Sequence, residues 1–296
     1  MGKKSMNRAP DGELMTFAMK AREQGNYDQA LKYMKDILKQ DNNNPAVLDL
    51  LGEVYFEKGD MQNSHRVLTK SAHIAPTNGY KKFMLLGQMS THKKAIQHFQ
   101  KGIQILLKMH SHTKQEALKK SIEENIAEGY CSIAEIYLTD LCHVPHAEKN
   151  CGEALGLARQ RDPENPHVLQ LFASYRISQC KPDEARTFMV EVIKRLENQS
   201  HDFKLNTAKL LMELQMMQEA ADLLNELRGE AAQNSEIWYI SGVCARLMGN
   251  FEEANHYFET TGSFEFVYPE IREALAWEFE QIQPHLQKNQ QGPPPY

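Results

Sequence analysis

The chain has 296 residues, of which 41% are hydrophobic and 25% charged, and its formal net charge is -5 at pH 7. This length suits one or two globular domains or one array of repeats. Because no run of about 18 apolar residues occurs and no apolar segment follows the first lysines, we expect a soluble protein with no membrane span. The negative charge argues against direct nucleic-acid binding and favours a basic partner.

The first predicted elements are two helical hairpins of about 34 residues each, the period of the tetratricopeptide repeat. We expect no order in residues 1–10. The first hairpin falls at about 11–44, where Gly25 and Ala30 occupy a turn and a small-residue packing position. The second falls at 45–78 and matches at Leu48, Leu51, Gly52, Tyr55, Gly59 and Pro76. Small residues allow close helix approach and large ones fill the space opposite, so these positions predict packing.

The next region, at about 79–165, departs from the period. Ala95 and Phe99 come about four residues early, which predicts a short turn between the two helices around "MSTHKK", and residues 111–126 add a polar helical stretch. In the following hairpin the segment "SIAEIYLTDLC" places Leu141 where a turn glycine is usual. The pattern predicts a first helix that continues towards Pro145, and therefore an enlarged hairpin.

Three regular hairpins follow at about 166–200, 201–234 and 235–268. The last of them gives the strongest match, at Trp238, Gly242, Gly249, Phe251, Ala254 and Phe258. An amphipathic helix at about 269–284 is expected to cap the array, because each repeat buries its apolar face only against neighbours. We expect residues 285–296, rich in Pro and Gln, to be disordered. The predicted fold is all-α: a right-handed tetratricopeptide-repeat superhelix of about seven hairpins plus a capping helix, over residues 11–284.

The first helix of each hairpin is expected to line a concave groove, and its exposed positions carry carboxylates in the first half of the chain. These candidate contacts to a client protein are Asp49, Glu53, Glu57, Glu124, Glu128 and Glu135. Like charges spaced four apart destabilise a helix by roughly 0.2–0.5 kcal/mol per pair, and a basic ligand would relieve this repulsion. The alternative is an ordinary solvated helix face.

The sequence signals for other kinds of binding site are weaker than the signal for an acidic groove. A chaperone-type carboxylate clamp needs Lys and Asn at five positions, where this chain has Met15, Met19, Leu50, Lys81 and Leu85, so we exclude it. A zinc site could be drawn from Cys142, His143, His146 and Cys151, but the spacing fits no zinc motif. The five cysteines form no C-x-x-C pair, which is typical of free thiols inside the cell. Because no catalytic motif occurs, we expect no enzyme, no cofactor and no metal.

The terminal "PPPY", Pro293–Tyr296, fits a short ligand for a WW-domain protein, which docks a preformed polyproline helix. This motif supports an alternative function, a scaffold or adaptor that links regulatory proteins.

Two stretches resemble a particular family. "SIAEIYLTDLC" (132–142) and "DPENPHVLQLFASYRISQCKPDEAR" (162–186) are similar to the dedicated assembly chaperones of large-subunit ribosomal protein four, and residues 85–107 resemble that family's shortened third unit. The resemblance covers about 11–270. It implies a non-enzymatic chaperone that captures the new ribosomal protein, holds its basic internal loop, and moves from cytoplasm to nucleus for 60S assembly. Relatives tend to end in acidic tails, whereas this chain ends in Gln and Pro.

Overall fold

The computed structural model describes residues 11–265 and 267–290, which form fifteen α-helices and no strand. The chain divides into two compact units, with the boundary between Val168 and Leu169. Within the described residues, no helix has the length and apolar character needed to cross a membrane. The predicted disorder of residues 1–10 and of the tail from residue 291 lies outside the described part.

The first unit contains four helical hairpins. Their helices are α1 (Asp11–Glu23), α2 (Tyr27–Leu38), α3 (Pro45–Glu57), α4 (Met61–Ile74), α5 (Tyr80–Gln88), α6 (His92–His112), α7 (Glu116–Leu138) and α8 (Ala147–Arg161). The boundary between the units falls inside the next helix, α9 (Pro166–Ser178).

The second unit continues from α9 with α10 (Pro182–Ile193), α11 (His201–Glu213), α12 (Met217–Glu230), α13 (Ser235–Leu247), α14 (Phe251–Ser263) and α15 (Pro269–Gln290). Seven hairpins and a final helix confirm the predicted all-α tetratricopeptide architecture.

Small residues sit at the helix crossings as predicted. Ala30, Ala185 and Ala254 are completely buried. A Cβ added to Gly242 would lie 2.4 Å from the ring of Phe258, which is itself fully buried. Because interiors pack as densely as organic crystals, these contacts fix the spacing of the helices.

The irregular region has a simple geometric origin. The predicted short turn is wrong, because the connection at 89–91 is as long as those at 24–26 and 58–60. Instead, helix α5 has nine residues where α1 and α3 have thirteen, which explains why Ala95 and Phe99 come four residues early. Helices α6 and α7 are long instead, with 21 and 23 residues. The polar stretch at 111–126 is the end of α6, a connection at Thr113–Gln115, and the start of α7.

The predicted continuation of α7 towards Pro145 is wrong, because the helix ends at Leu138. The Leu141 amide donates to the Ile136 carbonyl at 2.8 Å, and the Leu141 side chain is buried. Leu141 therefore anchors a turn at 139–146, and this turn enlarges the hairpin.

The final helix is longer than predicted. It runs through Pro284 to Gln290, beyond the expected end at residue 284. The physical reason is packing: Ile282 is buried, Leu286 packs on the same core, and the His285 ring stacks on Phe251 at 3.9 Å between centroids. Residues 285–290 are thus helical and not part of a disordered tail.

Candidate functional site

The first helices of the hairpins in the first unit enclose a surface recess. Its walls come from α1, α3, α5 and α7, and its volume is about 260 Å³. Phe56, Met84 and Leu85 supply apolar surface, while Glu53 and Glu57 supply carboxylates. Side chains from four hairpins therefore meet at one place, as expected for the groove of a repeat array.

Arg22 on α1 forms ion pairs with both carboxylates of this recess, so the three side chains together carry one net negative charge. One guanidinium nitrogen lies 2.9 Å from Glu53, and Nε lies 3.0 Å from Glu57 Oε2. The hydrogen bond to Glu57, followed by that to Glu53, raises the pKa of Arg22 against the opposing effect of burial. Glu53 and Glu57 are therefore already bound within the chain, and the repulsion expected from helix spacing alone is compensated.

Asp49 lies in an internal polar network, away from the recess. It accepts hydrogen bonds from the Ser71 hydroxyl and from Lys82, whose Nζ lies 3.2 Å away. The Lys82 side chain is fully buried, so Asp49 is the counter-ion that permits this burial. Burial raises the pKa of Asp49 and is opposed by these two partners. Asp49 therefore has a structural role, and its predicted contact with a client stays a prediction.

Glu128 and Glu135 on α7 share a histidine from the start of α9. His167 Nδ1 lies 2.8 Å from Glu128 Oε2, and Nε2 lies 3.4 Å from Glu135 Oε1. Asn165 adds a bond to Glu128 at 3.2 Å. Burial disfavours the charged imidazole, but the two carboxylates outweigh it and raise the pKa of His167 to about 10. At neutral pH this trio carries one net negative charge.

Glu124 lies one helical turn before Glu128 on α7 and is exposed to solvent. Among the described residues it forms neither an ion pair nor a hydrogen bond with another side chain. About half of each of the Glu128 and Glu135 side chains is exposed. Of the six predicted carboxylates, the three on α7 therefore form the accessible acidic face, which we call the α7 acidic face: Glu124, Glu128 and Glu135.

Sequence reasoning missed Arg22 and His167, although the sequence contains a signal for both. Arg22 is separated from Glu53 and Glu57 by 31 and 35 residues, and His167 from Glu135 by 32. These separations are close to one repeat period. Residues one period apart lie side by side on neighbouring first helices, and the spacing of residues along one helix does not reveal these pairs.

The side chains of a possible zinc site do not come together; they are Cys142, His143, His146 and Cys151. Cys142 is exposed in the turn that follows α7, whereas Cys151 is buried in α8. In the part of the chain that the structure describes, no group of three or more His, Cys, Asp or Glu side chains is arranged to hold a metal ion.

Several known proteins are similar to this chain in sequence or in fold. A tetratricopeptide-repeat family model matches residues 21–82. A Schizosaccharomyces pombe protein described as "Probable assembly chaperone of rpl4" is 30% identical over 302 aligned residues, covering 94% of this chain and 89% of the relative. An Emericella nidulans protein of the same description is 30% identical over 277, covering 86% and 69%.

A solved structure, "Assembly Chaperone of RpL4 (Acl4) (Residues 1-338)", superposes with a TM-score of 0.76 at 23% identity, and the match covers 84% of this chain and all of that one. This likeness supports the tetratricopeptide fold. The two fungal relatives match across most of their length as well as most of this chain. The chain therefore belongs to the family of tetratricopeptide-repeat assembly chaperones of rpl4.

Proposed function

We propose that the chain is a non-enzymatic chaperone that binds a newly made ribosomal protein of the large-subunit protein four type and delivers it for 60S assembly. The observation that supports this most is the family membership, at 30% identity over 94% of the chain. The proposal includes shielding of the client's basic internal loop. It also places the protein in the cytoplasm and the nucleus, since its client is made in one and assembled in the other.

The α7 acidic face is the surface that best fits a basic loop. Glu124 is exposed and forms no ion pair among the described residues, and Glu128 and Glu135 together retain one negative charge after pairing with His167. Partly exposed carboxylates attract lysine and arginine over about 8 Å at physiological salt, and such fields speed association and select partners. A loop held in this way is kept from RNA and from aggregation until release.

The recess offers a second, conditional set of contacts. Its apolar surface suits the aliphatic stem of a lysine or arginine, whose charged head would lie near Glu53 and Glu57. Arg22 already fills that place, so a client side chain has to displace it. We therefore assign Glu53 and Glu57 a secondary role, while the α7 acidic face makes the primary contact.

The test is co-purification followed by measured affinity. The tagged chain should recover the large-subunit protein four from cell extract, as identified by mass spectrometry. Reversal of charge in Glu124→Lys/Glu135→Lys should weaken binding of the isolated client at least about tenfold at moderate salt. Glu219→Lys/Glu252→Lys makes the same charge change at exposed positions on α12 and α14 in the second unit, and this matched control should bind normally. Recovery of the client with equal affinity for all variants would remove the role of α7 but leave the chaperone function intact.

The alternative function is a scaffold or adaptor that binds a WW-domain protein through Pro293–Tyr296, which lies outside the described residues. Deletion of residues 292–296 distinguishes the two functions. The chaperone proposal expects the ribosomal protein to be recovered undiminished, whereas loss of the main partner would favour the adaptor.

A further inference from the structure

The lengthened helices of the irregular region form an arm that carries unpartnered side chains. The arm comprises residues 105–120: the end of α6, the connection at Thr113–Gln115, and the start of α7. Helices α6 and α7 have 21 and 23 residues, against 9 to 15 in α1 to α5 and in α8. Met109 and Leu118 on the arm are 38% and 46% exposed. The arm therefore presents apolar surface that the packing of the hairpins leaves uncovered.

The arm is basic, although the chain as a whole is acidic. Residues 108–120 contain four lysines and one glutamate, whereas the full chain has a net charge of -5. Glu116 pairs with Lys119 at 3.2 Å. Lys108, Lys114 and Lys120 are exposed, and within residues 11–265 and 267–290 their ammonium groups form no ion pair. Three exposed lysines without an ion pair among the described residues thus lie within residues 108–120.

A recess lies beside the arm, between α6 and the loop at 77–79. Ile105 and Met109 give it apolar surface, Lys108 and His112 stand at its edge, and its volume is about 380 Å³. These four residues are spaced three and four apart on α6, so they share one face of the helix. An apolar side chain can enter this recess while acidic neighbours meet the lysines.

We propose that the arm is a docking surface for an acidic protein segment whose apolar residue inserts into the recess at Ile105 and Met109. Charge complementarity selects the acidic segment, since Lys108, Lys114 and Lys120 are exposed and form no ion pair among the described residues. The apolar recess selects protein over nucleic acid. Single-stranded nucleic acid is usually held by stacking on aromatic rings, and residues 105–120 contain no Phe, Tyr or Trp. This surface is opposite in charge to the α7 acidic face, so it serves a different partner.

The experiment uses the full chain and a fluorescein-labelled peptide of about 12 residues, rich in Asp and Glu and carrying one Leu and one Phe. Fluorescence anisotropy measures its affinity for the wild-type chain, for Lys114→Glu/Lys120→Glu, and for Met109→Ser. Lys93→Glu/Lys94→Glu makes the same charge change at exposed positions near the start of α6 and serves as the control. All these side chains are exposed, and circular dichroism checks that each variant is folded.

We expect a loss of at least about tenfold for each arm variant and no loss for the control. A peptide with Ser in place of Leu and Phe should bind less well than the parent peptide. Absence of peptide binding, or equal affinity for arm and control variants, would overturn the proposal. Tighter binding of a single-stranded RNA of the same charge would also overturn it, because the arm would then be a nucleic-acid surface.

Discussion

The ion pairs of His167 predict that stability falls as pH rises. The perturbation is His167→Gln, which removes the imidazolium between Glu128 and Glu135 but retains a polar side chain. A rise in pKa from 6.5 to about 10 corresponds to at most about 5 kcal/mol at 1.36 kcal/mol per unit. Because both carboxylates are about half exposed to water, which screens them, we expect about 2 kcal/mol.

The raised pKa of His167 determines whether stability rises or falls with pH. The contribution of His167 is fully present below pH 6.5 and is lost progressively as pH rises towards 10. Urea unfolding at pH 6 and at pH 10 should therefore show His167→Gln about 2 kcal/mol less stable than wild type at pH 6 and nearly equal at pH 10. His143→Gln, an exposed histidine in the turn after α7, is the control and should differ little at either pH. If the difference in free energy of unfolding between wild type and His167→Gln stays constant or grows with pH, the proposed ion pairs are refuted.

Three further outcomes follow from the packing, a backbone conformation and the recess. Gly242→Ala forces a Cβ against Phe258 and should lower the free energy of unfolding by about 1–3 kcal/mol. Gly229→Ala has no atom within 4 Å of its Cβ and should be neutral or stabilising by up to about 1 kcal/mol in the same urea titration. Gln215→Gly should raise the thermal midpoint slightly, since Gln215 is held at a φ of 60°; a lower midpoint would argue against strain there. Arg22→Ala should tighten binding of the basic client several-fold in calorimetry. Unchanged affinity would show that Arg22 does not compete with the client for the recess.

Much of the fold was predictable because the residues that define the repeat pack against partners that are close in sequence. Within a single hairpin, Ala254 and Phe258 on α14 pack against the preceding helix, and their spacing alone identifies the element. The early position of Ala95 indicated that this hairpin is short, but the shortening lies in helix α5 and not in the predicted turn. Helix ends were harder. The burial of Leu141 ended α7, and the packing of His285 and Leu286 prolonged α15 past Pro284. Neither follows from propensity, because each depends on contacts with another helix.

The helices that carry the candidate carboxylates were predicted from the sequence but their ion pairs were not, and their contact with a client stays a prediction. Helical spacing placed the carboxylates of α3 and α7 on first helices, and the structure agrees for Glu53, Glu57 and Glu124. It did not show that Arg22 and His167 bind most of them. Ion pairs between neighbouring hairpins depend on the distance between the helices, and this distance is set by buried residues elsewhere.

The sequence by itself determined the repeat period, the number of hairpins, the family and the excess of acidic residues. The repeat properties follow from small and large residues at fixed spacing, because each of these side chains packs against a partner within the same hairpin. Tertiary structure alone decided which charges remain available, because pairing requires atoms about 30 to 40 residues apart to come within 4 Å. In the folded chain, Lys82 is buried against Asp49, and Arg22 forms an ion pair with Glu53 in the recess. Glu124 on α7 has no partner among the described residues.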